Sequence, residues 1–123
     1  NIFKKALEAQ AAPRTVYFYK GEVWFCSVGH NVGWEEDGKG SDYSRPVVIL
    51  KRCGANLFIG IPLTSKITPL RHCFGIGNVK GKAAMALIGQ VRMYSSKRLI
   101  NKIDKLHPSV FQALKKAARK FIF

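Results

Sequence analysis

Two short segments carry residues that could do chemistry, Arg45-Pro46-Val47-Val48-Ile49-Leu50 and Ile61-Pro62-Leu63-Thr64-Ser65. Each is an apolar run with a polar end, an arginine before the first and two hydroxyls after the second. A guanidinium can hold two phosphate oxygens at once and offset growing negative charge. A hydroxyl can donate to a phosphate oxygen or orient a proton. If the two runs are neighbouring buried strands, both groups are held on a rigid sheet and suit a phosphate. Taken singly, each residue has a plainer reading. An arginine before proline is often a solvated strand end, and Thr-Ser often caps a turn.

The charge of the chain favours the phosphate reading. Twenty-one Lys and Arg stand against seven Asp and Glu, a formal net charge of +14. Such an excess favours nucleic acid, an acidic protein or an anionic membrane surface as partner. No apolar run approaches the ~18 residues of a membrane span, and Lys4, Lys5 and Glu8 interrupt the N-terminal segment. No membrane association is expected. Three cysteines, Cys26, Cys53 and Cys73, without short spacing, argue against a disulfide framework and against a zinc site. A reducing cytoplasm fits this pattern best, and no metal or cofactor is expected.

The elements that must position these groups follow from the apolar periods. At 123 residues the chain is long enough for a single core. Ile2, Phe3, Ala6, Leu7 and Gln10 recur at helical spacing, so residues 1–13 are expected to form a separate amphipathic helix ended by Pro13. From there the pattern is mostly strand. Extended chain is predicted at 16–19, with strands at 22–28, 46–51, 57–63 (broken by Gly60), 73–76 and 83–93. A long polar loop, roughly 29–44, holds Gly29, Gly33, Gly38 and Gly40 and most of the acids. Loops of that length in compact domains are often functional. A basic loop with Lys66, Pro69, Arg71 and His72 follows Thr64. The C-terminal segment is helical, with Val110, Leu114, Ala117 and Phe121 as its apolar stripe, widened by Phe111, Ala118 and Ile122, and with Ser109 or His107 as cap. The predicted class is mainly β with helices: a small, strongly bent antiparallel sheet or barrel with a C-terminal helix and an extra N-terminal one.

Several motifs occur in a telling order: Gly21-Glu22-Val23-Trp24, Gly33-Trp34-Glu35-Glu36, the Arg45–Leu50 run, Pro62-Leu63-Thr64-Ser65, Gln90-Val91-Arg92 and Lys97-Arg98-Leu99. Over roughly residues 20–122 the sequence resembles the MazF/PemK (Kid-like) toxins of bacterial type II toxin–antitoxin systems. The resemblance implies a dimerising SH3-like β-barrel over residues 14–123. It also implies metal-independent cleavage of single-stranded RNA by attack of the 2′-hydroxyl on the adjacent phosphate, and an acidic antitoxin as partner. Carried over residue by residue, Arg45 corresponds to the arginine at the scissile phosphate and Thr64 to the active-site threonine, with Ser65 beside it. Glu35 corresponds to an acidic loop position that serves as base or base-edge contact. Trp34 stands where some relatives carry histidine and offers a face on which an RNA base can stack. His30, in the same loop, is a substitute for that histidine. Lys66 opens the basic loop that borders the groove, and Arg92 corresponds to a backbone contact. Two positions depart from the pattern: Gly89 where many relatives have an acid, and Leu87 where some have an arginine. The alternative is a non-catalytic module of the same fold that binds RNA or an acidic protein.

Overall fold

The computed structural model describes residues 16–27, 44–66 and 72–123. The predicted N-terminal helix, most of the long polar loop and residues 67–71 of the basic loop lie outside the described residues. Seven strands are described: β1 (Glu22–Ser27), β2 (Ser44–Arg52), β3 (Leu57–Thr64), β4 (Cys73–Val79), β5 (Lys82–Leu87), β6 (Arg92–Ser95) and β7 (Leu99–Lys105). One helix, α1 (Pro108–Ile122), ends the chain. The strands form one antiparallel sheet in the order β4-β5-β3-β2-β1-β7, with β6 also paired to β3. The sheet curls about β3. The first half of β3 pairs β6 from Leu57 to Gly60, its end pairs β5 at Leu63 and Thr64, and β2 runs along the other edge.

Alternation along the strands fills a different apolar cluster on each face. Val48, Ile61 and Leu63 belong to the larger one, with Val23, Ile76 and Ala86. Onto it α1 lays Phe111, Leu114 and Ala118. Full burial of a side chain the size of Leu or Phe is worth about 1.5–3 kcal/mol. The second cluster, on the opposite face, holds Phe18, Trp24, Cys26, Val47, Ile49, Phe58, Tyr94 and Leu99. Pro108 starts α1, and His107 caps it, its Nδ1 accepting from the Ser109 N–H at 3.2 Å. No helix among the described residues is long and apolar enough to cross a membrane.

Several sequence expectations change here. The strand expected over 83–93 stops at Leu87, because Ile88–Gln90 form a 3₁₀ turn that redirects the chain into β6. Strand β7 is unexpected; its charged residues mask the alternation of an edge strand. Residues 16–19 form no strand, yet Phe18 is fully buried. Gly60 does not break β3. A Cβ there would stand 2.6 Å from Val47 Cγ1, so the second cluster leaves no room for a side chain at this position. Phe121 and Ile122 are exposed rather than part of the buried stripe of α1, and Phe121 instead rests against the His72 ring at 4.6 Å.

Candidate functional site

Arg45 is the second residue of β2, inside the strand rather than ahead of it, and it pairs with Cys26 on β1. Thr64 is the last residue of β3 and pairs with Met85 on β5. The β2–β3 register matches Val47 with Pro62. The described β2–β3 ladder ends at that pair, and the same register continued by two residues would match Arg45 with Thr64, where β3 turns to pair with β5. Both have the parity of the second cluster, Arg45 with Val47 and Thr64 with Phe58 and Gly60. Strand parity therefore gives the two residues the same face of the sheet, each half-buried, and Thr64 also lines a cleft shared with Pro46 and Leu63.

The Thr64 hydroxyl accepts from the Lys66 N–H at 3.1 Å, which pins the turn where β3 ends. A hydroxyl that accepts one bond keeps its own hydrogen to donate. Ser65 and Lys66 follow on that turn, both exposed. A cleft of about 260 Å³ opens beside them, with Leu63, Pro46, Val79 and Ile103 as apolar walls and Lys80 and Lys82 among its lining residues.

Arg92 joins the same face from a third strand. It is the first residue of β6, opposite Gly60, and its guanidinium lies 4.7 Å from the centre of the Tyr94 ring. Sequence reasoning missed Arg98 as a member of this group. Its Nη1 donates to the Ser27 carbonyl at 3.2 Å, a bond across 71 residues of chain that no local motif announces. Burial pushes the Tyr94 phenol up from its usual range, and the positive charges of Arg92, Arg45 and Arg98 partly offset this. Burial likewise pushes the Cys26 thiol up to about 12, with Arg98 pulling the other way. The charges of three arginines thus reach one buried phenol, with Arg92 directly against its ring. Glu35, Trp34 and His30 lie outside the described residues.

The departures at Gly89 and Leu87 also have a local setting. Leu87 ends β5, half-buried and paired with Cys73. Gly89 sits in the 3₁₀ turn, where a Cβ would meet the His72 Cβ at 3.3 Å. A larger residue at that position requires His72 to give way by a few tenths of an ångström.

Toxins and toxin–antitoxin complexes are among the solved structures of the same fold. The MazE–MazF complex (Form-II) from Deinococcus radiodurans superposes with a TM-score of 0.69 at 15% identity, covering 87% of this chain and 97% of that one. An endoribonuclease in complex with its cognate antitoxin from a mycobacterial species gives 0.65 at 11% identity, covering 86% and 95%. The Mycobacterium tuberculosis toxin MazF-mt6 gives 0.60 at 17% identity, covering 80% and 93%. A search of curated protein sequences finds no significant match. The sequence profile of the PemK-like, MazF-like toxins matches residues 19–122. With that match spanning every described strand from β1 to β7, the chain belongs to the PemK-like, MazF-like toxins of type II toxin–antitoxin systems.

Proposed function

We propose that this toxin is a metal-independent endoribonuclease that cuts single-stranded RNA. The substrate's 2′-oxygen attacks the adjacent phosphorus while a base takes its proton. The P–O5′ bond breaks and the departing oxygen is protonated, leaving a 2′,3′-cyclic phosphate and a 5′-hydroxyl. The observation that supports this reading is the shared strand parity of Arg45, Thr64 and Arg92 on one face of the sheet, with Arg98 bonded to Ser27 at the end of β1. Arg45 offsets the charge growing on the phosphate oxygens, and the Thr64 hydroxyl donates to one of them. Glu35 or His30 supplies the base, Trp34 stacks on an unpaired nucleobase, and Ser65, Lys66 and Arg92 hold the strand.

The same reading takes the curled sheet of residues 14–123 as an SH3-like barrel and residues 1–13 as a separate extension. The molecule works as a cytoplasmic homodimer restrained by an acidic antitoxin. Two of the structural neighbours are complexes with an antitoxin, and a net charge of +14 suits an acidic partner.

End analysis of RNA incubated with the full chain in EDTA tests the proposal. Cyclic phosphates at a recurrent site are expected. Arg45→Ala should lower the rate by about 10²–10³-fold, the scale of a missing transition-state donor. It should change the melting temperature little, since Arg45 is only half-buried and belongs to neither apolar cluster. Cleavage by Arg45→Ala at the parent rate would refute the assignment. A second reading rests on the crowding at Gly89, which takes the place of an expected acid. In that reading the fold binds RNA without cutting it, and the same assay would return intact RNA with a salt-sensitive gel shift.

A further inference from the structure

The far end of β2 carries a second basic surface that the candidate site does not use. An open hollow of about 630 Å³ is lined by Tyr19, Lys20, Lys51, Arg52 and Lys105. Four cations meet there, and among the described residues none of them forms an ion pair; the Glu22 carboxylate is taken by Lys102 at 3.3 Å. Like charges gathered without a counter-charge repel one another and favour an anionic ligand.

The hollow is rigidly built. Tyr19–Glu22 form a tight turn in which the Glu22 N–H donates to the Tyr19 carbonyl at 3.2 Å. Gly21 holds φ +87° at the turn's third position, a conformation that L side chains rarely adopt. The Gly21 N–H donates to the Ile49 carbonyl and the Leu106 N–H to the Gly21 carbonyl, both at 2.8 Å, so the turn is fastened to β2 and to the segment after β7. Glu22, only 6% exposed, accepts from the Tyr19 N–H at 3.0 Å and from the Trp24 indole at 2.9 Å. The register shift between Ile49 and Lys51 sets Arg52 opposite Phe58. Arg52 thereby gains the parity of Arg45, which strict alternation over seven positions would deny it. Its guanidinium lies 5.0 Å from the Phe18 ring centre and 5.6 Å from that of Tyr19. Phe18, Phe58 and Tyr94 continue the row to Arg92. This row of buried rings, with Phe18 tilted against Phe58 and Phe58 stacked on Tyr94, runs from Arg52 to Arg92.

We propose that this hollow is an exosite for single-stranded RNA, holding the strand beyond the candidate site. Tyr19, which lines the hollow, is 50% exposed. An exposed ring beside a groove of cations suits unpaired bases strung on phosphates. The choice of RNA rests on the proposed function, but the site does not depend on cleavage.

The test uses the full chain and an uncleavable 2′-O-methyl RNA 20-mer, titrated over a range of salt concentrations. Lys20→Gln/Lys51→Gln/Lys105→Gln should lower the magnitude of the slope of log affinity against log salt by about 2, at about 0.7 for each phosphate no longer neutralised. Tyr19→Ala should weaken binding about tenfold, and Tyr19→Phe, which keeps the ring, should restore it. Arg45→Ala, run in parallel, reports separately on the candidate site. Parent affinity and salt slope in the triple variant would overturn the exosite. So would loss of binding to an oligo-glutamate peptide with RNA binding retained, which would give the hollow to a protein. The lysine substitutions lie at exposed positions and preserve the fold, so they decide the matter even if Tyr19→Ala does not fold.

Discussion

Glycine-to-alanine changes at three strand positions should shift stability in different directions, by amounts that follow from the space around each. At Gly60 the new Cβ would stand 2.6 Å from Val47 Cγ1, 3.0 Å from Phe58 Cε2 and 3.1 Å from Tyr94 Cε2. Carbon atoms pack comfortably at about 3.5–4.0 Å, so something must move by nearly 1 Å. Val47 and Phe58 are fully buried and Tyr94 nearly so, and the two rings are stacked on each other. None is the loose end of a flexible side chain. Overpacking of this kind costs about 1–3 kcal/mol. The lower entropy of the unfolded alanine chain offsets about 0.5–1 kcal/mol. Gly60→Ala should therefore destabilise by about 1–2 kcal/mol. It should also displace the Tyr94 ring on which Arg92 rests, weakening RNA binding. At Gly75 no heavy atom lies within 4 Å, so the entropy effect stands alone and Gly75→Ala should stabilise by about 0.5 kcal/mol. Gly77 is equally open but holds φ +86°, so alanine there is strained and costs about 1 kcal/mol. Urea unfolding followed by circular dichroism measures all three from their midpoints at a common slope. Equal effects at Gly60 and Gly75 would refute the packing argument, and a Gly60→Ala protein as stable as the parent would mean that β2, β3 and β6 do not close as described.

Two further outcomes follow from the ionisable groups. Cys53 is exposed, whereas Cys26 is buried with its thiol pushed up to about 12; in a thiol-titration time course at neutral pH Cys53 should react first and Cys26 only on unfolding, and prompt labelling of Cys26 would contradict its burial. Asp104 accepts from the Lys80 N–H at 2.9 Å and the Lys105 N–H at 2.7 Å, bonds that hold its carboxyl below the usual 3.8. Its folded form binds protons less readily than the unfolded chain. The tie between the β4–β5 hairpin and β7 is therefore in force above the usual carboxylate range and lost as pH falls through the depressed value. Asp104→Asn should flatten the acid limb of the stability profile below about pH 4, and an unchanged limb would remove Asp104 from it.

The apolar runs of β1, β2 and β3 are legible because short apolar stretches rich in β-branched and aromatic residues, bounded by turn residues, favour strands. The helix α1 is legible from its period and from the Pro108 start. Strand β7 is not, since Asn101, Lys102 and Asp104 interrupt any visible alternation. The register shift beside Leu50 is equally invisible, because it arises from how β2 meets β3 rather than from either segment alone. Of the candidate site, motif order points to Arg45, Thr64, Ser65, Lys66 and Arg92. Arg98 stands out only as part of a motif, and the Tyr19–Lys105 hollow escapes sequence reading because its five residues come from three distant stretches of chain.

By itself the sequence determined the inventory of this protein: a basic chain, a set of short strands, one terminal helix, and an arginine and a threonine at the ends of apolar runs. Tertiary structure decided what those groups face. Residues are matched across strands by register, and a single bulge reverses the parity of everything beyond it. Pairing through β3 puts Arg45, Thr64 and Arg92 on one surface. The shifted register brings Arg52 to that surface as well, and a buried Glu22 fixes the turn that carries Tyr19 beside it. Local residue order contains none of these relations, because each one is set by a partner strand from elsewhere in the chain.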